Sequence, residues 1–182
     1  MYYYVVPLLL LGFLNIFLGA LVSYRDKSKL LNLSFTGLAV SVGVWCIGIS
    51  ALYLTSQETS ALNWTRIYYA APVTLVYSLV IFAITFGELV ISKTQLLVLA
   101  VPGLALLTAL AVDPNFLVLD LTRLANNTWD ATLDMLHYFI YGIYVALYFI
   151  IGLFVLYLKA RADDLKSYQA MLFFVGISIS AL

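Results

Sequence analysis

Charge is what this sequence has least of: only 10% of its 182 residues are Asp, Glu, Lys or Arg, against about 25% in an ordinary soluble domain. A soluble chain of this size would have no way to cover the 64% of residues that are hydrophobic. One cysteine, Cys46, excludes an intrachain disulfide, and its place inside an apolar run makes it a small packing residue. A single histidine and no clustered Cys, His, Asp or Glu leave metal chemistry without ligands, and no cofactor is called for. There is no dense basic face, the net charge is zero, and nucleic acid is therefore not a partner. A glycine-rich nucleotide box is also missing, which excludes phosphoryl transfer, so no enzyme is expected.

Long apolar runs are abundant. A hydrocarbon core about 30 Å thick needs ~20 residues of helix, and five runs meet or approach that length. They are Tyr2 to Tyr24, Leu31 to Leu54, Ile67 to Phe86, Leu96 to Val112 and Leu136 to Leu158; a sixth opens at Tyr168 and is cut off at Leu182. The fold class that follows is all-α, a polytopic transmembrane helix bundle of five full helices and a partial sixth. A cleaved signal peptide is excluded for the first run because the run is too long and its basic residues follow it. Residues 1–182 form one helical domain with no inserted second domain.

Lysine and arginine set the orientation, since short loops rich in them stay in the cytoplasm. Arg25, Lys27, Lys29, Lys93, Lys159, Arg161 and Lys166 follow the first, third and fifth runs, whereas Arg66 and Arg123 alone lie on the other side. That seven-to-two division puts the amino terminus outside, in a multi-pass cell-membrane protein. Tyr2, Tyr3 and Tyr4 on the first run, and Trp64, Tyr68 and Tyr69 on the third, supply an interfacial aromatic belt at the outer face. The longest connection, Asp113 to Met135, opens on an Asp113-Pro114-Asn115 turn, alternates apolar residues loosely and ends past Asn126-Asn127-Thr128; it reads as an outer lid or as an interfacial loop.

Polar and aromatic groups inside the runs are the candidates for function. Asn15 needs a hydrogen-bond partner, expected across helices. Trp45 is a core residue or the wall of a ligand pocket. Tyr138, Tyr141, Tyr144 and Tyr148 follow one another at spacings of three, three and four, one stripe of a helix, available to a ligand or to helix packing. Pro72 and Pro102 each remove a backbone N–H and bend their helices. Glu88 and Arg66 are placed at helix ends, where they can snorkel. The ligand site expected from these features comprises Arg66, Tyr69, His137, Tyr138, Tyr141 and Trp45, with Arg66 held to a lipid phosphate as the competing reading.

Several of these residues fall in a recognisable order. Asn15 with Gly19, a basic turn, Asn32 and Phe35, Trp45 with Gly48, then Trp64, Tyr68 and Pro72 resemble the seven-transmembrane N-terminal region of sensor histidine kinases. His137, the fifth-run tyrosines, the Arg161 turn and Gln169-Ala170 are similar to its continuation, so the likeness spans nearly all of the chain. Two departures stand out: the family has a seventh helix that this sequence does not reach, and Phe116 follows the Asp113-Pro114-Asn115 turn where members often carry a histidine. The resemblance implies the sensory input module of a two-component receptor in a prokaryotic plasma membrane, here a fragment ending before its seventh helix. The downstream cytoplasmic signalling domain is not in the chain. The partners expected are the bilayer, a small-molecule ligand reaching the site from outside, and a second copy in a homodimer.

A small transporter and a ligand-free membrane scaffold remain the alternatives. Transporters usually place ionisable groups or broken helices near the midplane in two related halves, and neither is visible. A retinal sensor needs a lysine deep in a helix, and the lysines here lie in loops or at helix ends.

Overall fold

The computed structural model describes residues 2–25, 29–113, 115–124, 128–161 and 168–169. Five helices carry the architecture: α1 (Tyr2–Arg25), α2 (Leu30–Leu54), α3 (Glu58–Phe86), α4 (Lys93–Val112) and α5 (Met135–Ala160). All five are long and apolar enough to cross a membrane, and the protein is a multi-pass membrane protein. Two strands, β1 (Val118–Arg123) and β2 (Trp129–Leu133), form an antiparallel hairpin between α4 and α5. The hairpin is an addition to the all-α expectation. The sixth apolar run lies outside the described residues apart from Tyr168 and Gln169.

Helix α3 is the hub, packing against α2, α4 and α5, while α1 packs on α2. With lipid as apolar as leucine, helices in a membrane associate by close approach of small residues, and α2 is built for that on two sides. Gly43 meets α1: a Cβ there would lie 2.7 Å from the Gly12 carbonyl oxygen. Ser41 meets α3, its Oγ 2.8 Å from Thr74 Oγ1. The Thr36 hydroxyl donates both to the Asn32 carbonyl of its own helix (2.8 Å) and across to the Gly19 carbonyl of α1 (3.0 Å). Asn15 was expected to bond between helices; its amide instead donates to the Leu11 carbonyl one turn back, 2.9 Å away. An i−4 carbonyl is always within reach of a short side chain, so it competes with any partner on a neighbour.

The helix boundaries follow local chemistry. Ser92 opens α4 with a reciprocal cap: Gln95 N–H donates to Ser92 Oγ (3.2 Å) and Ser92 N–H to Gln95 Oε1 (2.9 Å). Helix α3 ends in a left-handed residue, Glu88 at φ 59°, with Leu89 N–H returning to the Ile84 carbonyl at 3.0 Å. Its start differs from expectation. The apolar run begins at Ile67, but the helix begins nine residues earlier at Glu58, because Glu58, Thr59, Ser60, Asn63, Thr65 and Arg66 break the apolar run on a backbone that is already helical. Arg66 is therefore more than two turns inside α3, not at its end, and Pro72 is mid-helix.

Alternation of helix direction puts the α2–α3 connection, the hairpin and the start of α5 at one end of the bundle, called here the hairpin end. Leu117, Val118 and Leu121 at the root of the hairpin are buried with Ala61 of α3 and Leu106 and Leu110 of α4 in the main apolar core. The Trp129 indole N–H donates to the Thr55 carbonyl at 3.0 Å, tying the hairpin to the α2–α3 connection. Arg123 lies over the Trp129 ring, 5.9 Å from its centre.

Candidate functional site

Four of the six residues expected to line a site join one aromatic ladder. Trp45 of α2 stacks on Tyr68 of α3 with ring centres 6.1 Å apart, Tyr68 packs edge-on to Tyr69 at 4.8 Å, and Tyr69 packs edge-on to Tyr141 of α5 at 5.6 Å. Tyr138 extends the ladder from Tyr141 at 6.3 Å. Helices α2, α3 and α5 are thereby linked ring by ring in the hairpin half of the bundle. Tyr68 is the rung that the sequence reading left out of the site, although it marks the head of α3; nothing in one sequence says that a belt residue is also a bridge.

His137 and Arg66 sit apart from the ladder. The ring of His137 packs on Phe116, centres 4.6 Å apart, at the base of the hairpin. Asp134 caps α5 by accepting the His137 backbone N–H at 3.0 Å, and that bond holds its carboxyl below the usual carboxylate value. His137 Nδ1 lies 3.1 Å from the same oxygen, within ion-pair distance but without the alignment of a hydrogen bond. Arg66 Nε and Trp45 Nε1 are also buried without a partner. Three sequence-nominated residues thus carry the three buried polar side-chain atoms without hydrogen bonds among the described residues.

The α5 tyrosine stripe has a defined use. Pro72 cannot donate to the Tyr68 carbonyl, and its ring pushes against that turn. The next carbonyl, Tyr69, accepts the Tyr141 hydroxyl at 3.1 Å. Pro102 does the same to the Val98 carbonyl of α4, and again the next carbonyl, Leu99, accepts a hydroxyl, from Tyr148 at 2.7 Å. Between them Tyr144 donates to Val73 at 3.3 Å, reaching in beside Gly103, where a Cβ would come within 2.6 Å of its hydroxyl oxygen. One face of α5 therefore clasps two proline-opened helices through backbone carbonyls. Removing a clasp is expected to cost little: Tyr148→Phe should lose about 0.6 kcal/mol, the mean for such bonds in a bundle, while Tyr138→Phe should lose none, as measured by unfolding in mixed micelles.

Tyr138 also lines an apolar groove of ≈ 710 Å³ with Met135, Phe139, Gly142 and Ile143, on the side of α5 turned from α3. No group of three or more His, Cys, Asp or Glu that could hold a metal is present among the described residues. The arrangement holds no nucleophile paired with a base; it offers ring faces, buried donors and apolar space, which suits binding. No characterised protein and no solved structure matches the chain. A model of the N-terminal 7TM region of histidine kinase matches residues 7–182, nearly the whole length, and the chain belongs to that family, a membrane sensory region of histidine kinases.

Proposed function

We propose that the chain is the stimulus-receiving membrane region of a histidine-kinase-type receptor, with a small-molecule site at its hairpin end formed around Arg66, Tyr69, His137, Tyr138, Tyr141 and Trp45. The observation that carries this reading is the ladder from Trp45 to Tyr138, because it couples three helices at the level where donors are buried unpaired. A ligand that shifts any one rung moves α5 against the carbonyl beside Pro72. The stimulus so reaches the far end of α5, ahead of the sixth apolar run that opens at Tyr168.

Orientation is part of the proposal. Arg25, Lys29, Lys93, Lys159 and Arg161 gather at the end opposite the hairpin, which supports a cytoplasmic placement of that end and an extracytoplasmic hairpin and amino terminus. In a Cys46→Ala background, a cysteine at the exposed Asp130 should be labelled by an impermeant thiol reagent in intact cells and one at Lys93 should not. Reversed labelling would overturn the topology.

The site itself is tested in a receptor carrying this region ahead of a kinase domain. Tyr141→Phe and Arg66→Ala should change the dose of stimulus required for autophosphorylation while leaving the amount of receptor in the membrane nearly unaltered. Reduced receptor with unchanged response per molecule would assign both residues to packing alone.

A further inference from the structure

Arg66 is the most unusual charge in the molecule. It lies eight residues beyond the first residue of α3, about 12 Å along the axis, and its Nε is buried without a hydrogen-bond partner. No carboxylate pairs with it among the described residues. Of the acids of the hairpin end, Asp113 accepts from the Asn115 N–H, Asp120 from the Leu121 N–H and Asp134 from the His137 N–H, while Glu58 and Asp130 are exposed. Arg123, the other arginine of that end, has the Trp129 ring.

The surroundings of Arg66 follow from helix geometry. Arg66, Ala70, Val73 and Tyr77 share one stripe at i, i+4, i+7 and i+11. That stripe runs along α4: Val73 lies 3.6 Å from the position a Cβ on Gly103 would take, and the Tyr77 hydroxyl reaches the Leu96 carbonyl at 3.4 Å. Arg66 is seven residues towards the hairpin from Val73, and Leu110 is seven residues towards the hairpin from Gly103, so the guanidinium-bearing residue is level with Leu110. Leu106 and Leu110 are both buried there, with Leu117 and Val118 of the hairpin in the same apolar core. Arg66 is half-buried beside the aliphatic α4 stripe, and a cation so placed is stabilised by an anion brought from outside the chain.

We propose that Arg66 anchors an amphiphilic oxyanion, a carboxylate or a phosphate ester, whose apolar body lies in the hydrocarbon outside the packed α3–α4 seam. The proposal rests on the ligand-site reading above and specifies its chemistry. A guanidinium fork matches two oxygens of one oxyanion, and a charge-assisted pair in a low-dielectric setting is about twice as strong as a neutral hydrogen bond. The seam itself is filled by Leu106, Leu110 and Leu117, so the rest of the molecule lies beside it in the surrounding hydrocarbon. A fatty-acid-like solute and the phosphate of a lipid headgroup present the same chemistry to this residue.

The test uses the purified chain in dodecyl maltoside micelles, which contain no anion, titrated with decanoate, decyl phosphate and the neutral decanol. Decanoate or decyl phosphate should raise the melting midpoint saturably and decanol should not. Arg66→Gln should weaken the half-saturating concentration by about tenfold or more, the loss of a hydrogen bond to a charged group, and Arg66→Lys should retain part of the effect. A shift produced by phosphatidylglycerol but by neither soluble anion, and lost in Arg66→Gln, supports the same chemistry with the headgroup as its source. Decanol acting as well as decanoate overturns the inference in the unaltered protein, whether or not the variants fold. Arg66→Gln binding as tightly as the parent also overturns it. Either result leaves the sensor reading standing, since that is decided by the autophosphorylation response of Tyr141→Phe.

Discussion

Leucine in place of Gly43 is expected to detach α1 from the bundle at a cost of about 3 kcal/mol, the upper end for overpacking a close contact. A Cβ at Gly43 meets the Gly12 carbonyl oxygen at 2.7 Å and Ile16 Cγ1 at 2.6 Å, and a backbone oxygen has nowhere to retreat. Because α1 packs on α2, the whole attachment depends on this seam. Gly142→Leu is the matched control: nothing lies within 4 Å of a Cβ there, and removing a mid-helix glycine should stabilise by about 0.5–1 kcal/mol. Denaturation in mixed micelles, together with crosslinking between cysteines placed on α1 and α2, separates the two outcomes. Equal stability of the two variants would contradict the packing described.

Leu117→Ala should loosen the hairpin by about 2–5 kcal/mol, the usual range for emptying a buried leucine site. Leu117 is 1% exposed and sits where the chain leaves α4, its carbonyl accepting the Asp134 N–H at 3.0 Å. Strand and cap are thus held through one residue. Leu119, two positions on and 52% exposed, should tolerate alanine with a change under about 0.5 kcal/mol. Limited proteolysis between β1 and β2 reads the difference directly: Leu117→Ala should be cut faster than Leu119→Ala at equal protease. If the hairpin end is the receiving face, Leu117→Ala should also raise signalling without stimulus.

The membrane spans could be read from the sequence because burial in hydrocarbon demands an unbroken apolar run, and four of the five helices both begin and end within three residues of their runs. The start of α3 could not, since Glu58, Thr59, Ser60, Asn63, Thr65 and Arg66 break up the apolar run and only the backbone shows that the helix continues through them. The loose apolar alternation of residues 116–121 was visible, but pairing it with Trp129 to Leu133 requires a register that includes an irregularity between Val118 and Asp120, which no periodicity reports. In the candidate site, Tyr69, Tyr138, Tyr141 and Trp45 were nominated singly for being polar or bulky in apolar runs. Their union into a ladder depends on Tyr68, and on which faces α2 and α5 turn to α3. The tyrosine spacing in α5 was legible, whereas the recipients of those hydroxyls were not: Tyr69, Val73 and Leu99 are ordinary residues whose carbonyls become acceptors only once α5 is aligned with Pro72 and Pro102.

That alignment sets an order on biosynthesis. The acceptor at Tyr69 leaves the ribosome 72 residues before the Tyr141 hydroxyl that serves it, roughly 4–14 s at ordinary elongation rates, and Leu99 precedes Tyr148 by 49 residues. During that interval the Tyr69 and Leu99 carbonyls beside the two prolines have no tyrosine hydroxyl to accept. Emergence of α5 closes both turns from a single face, so the last described helix to be made is the one that fixes the shape of the two before it.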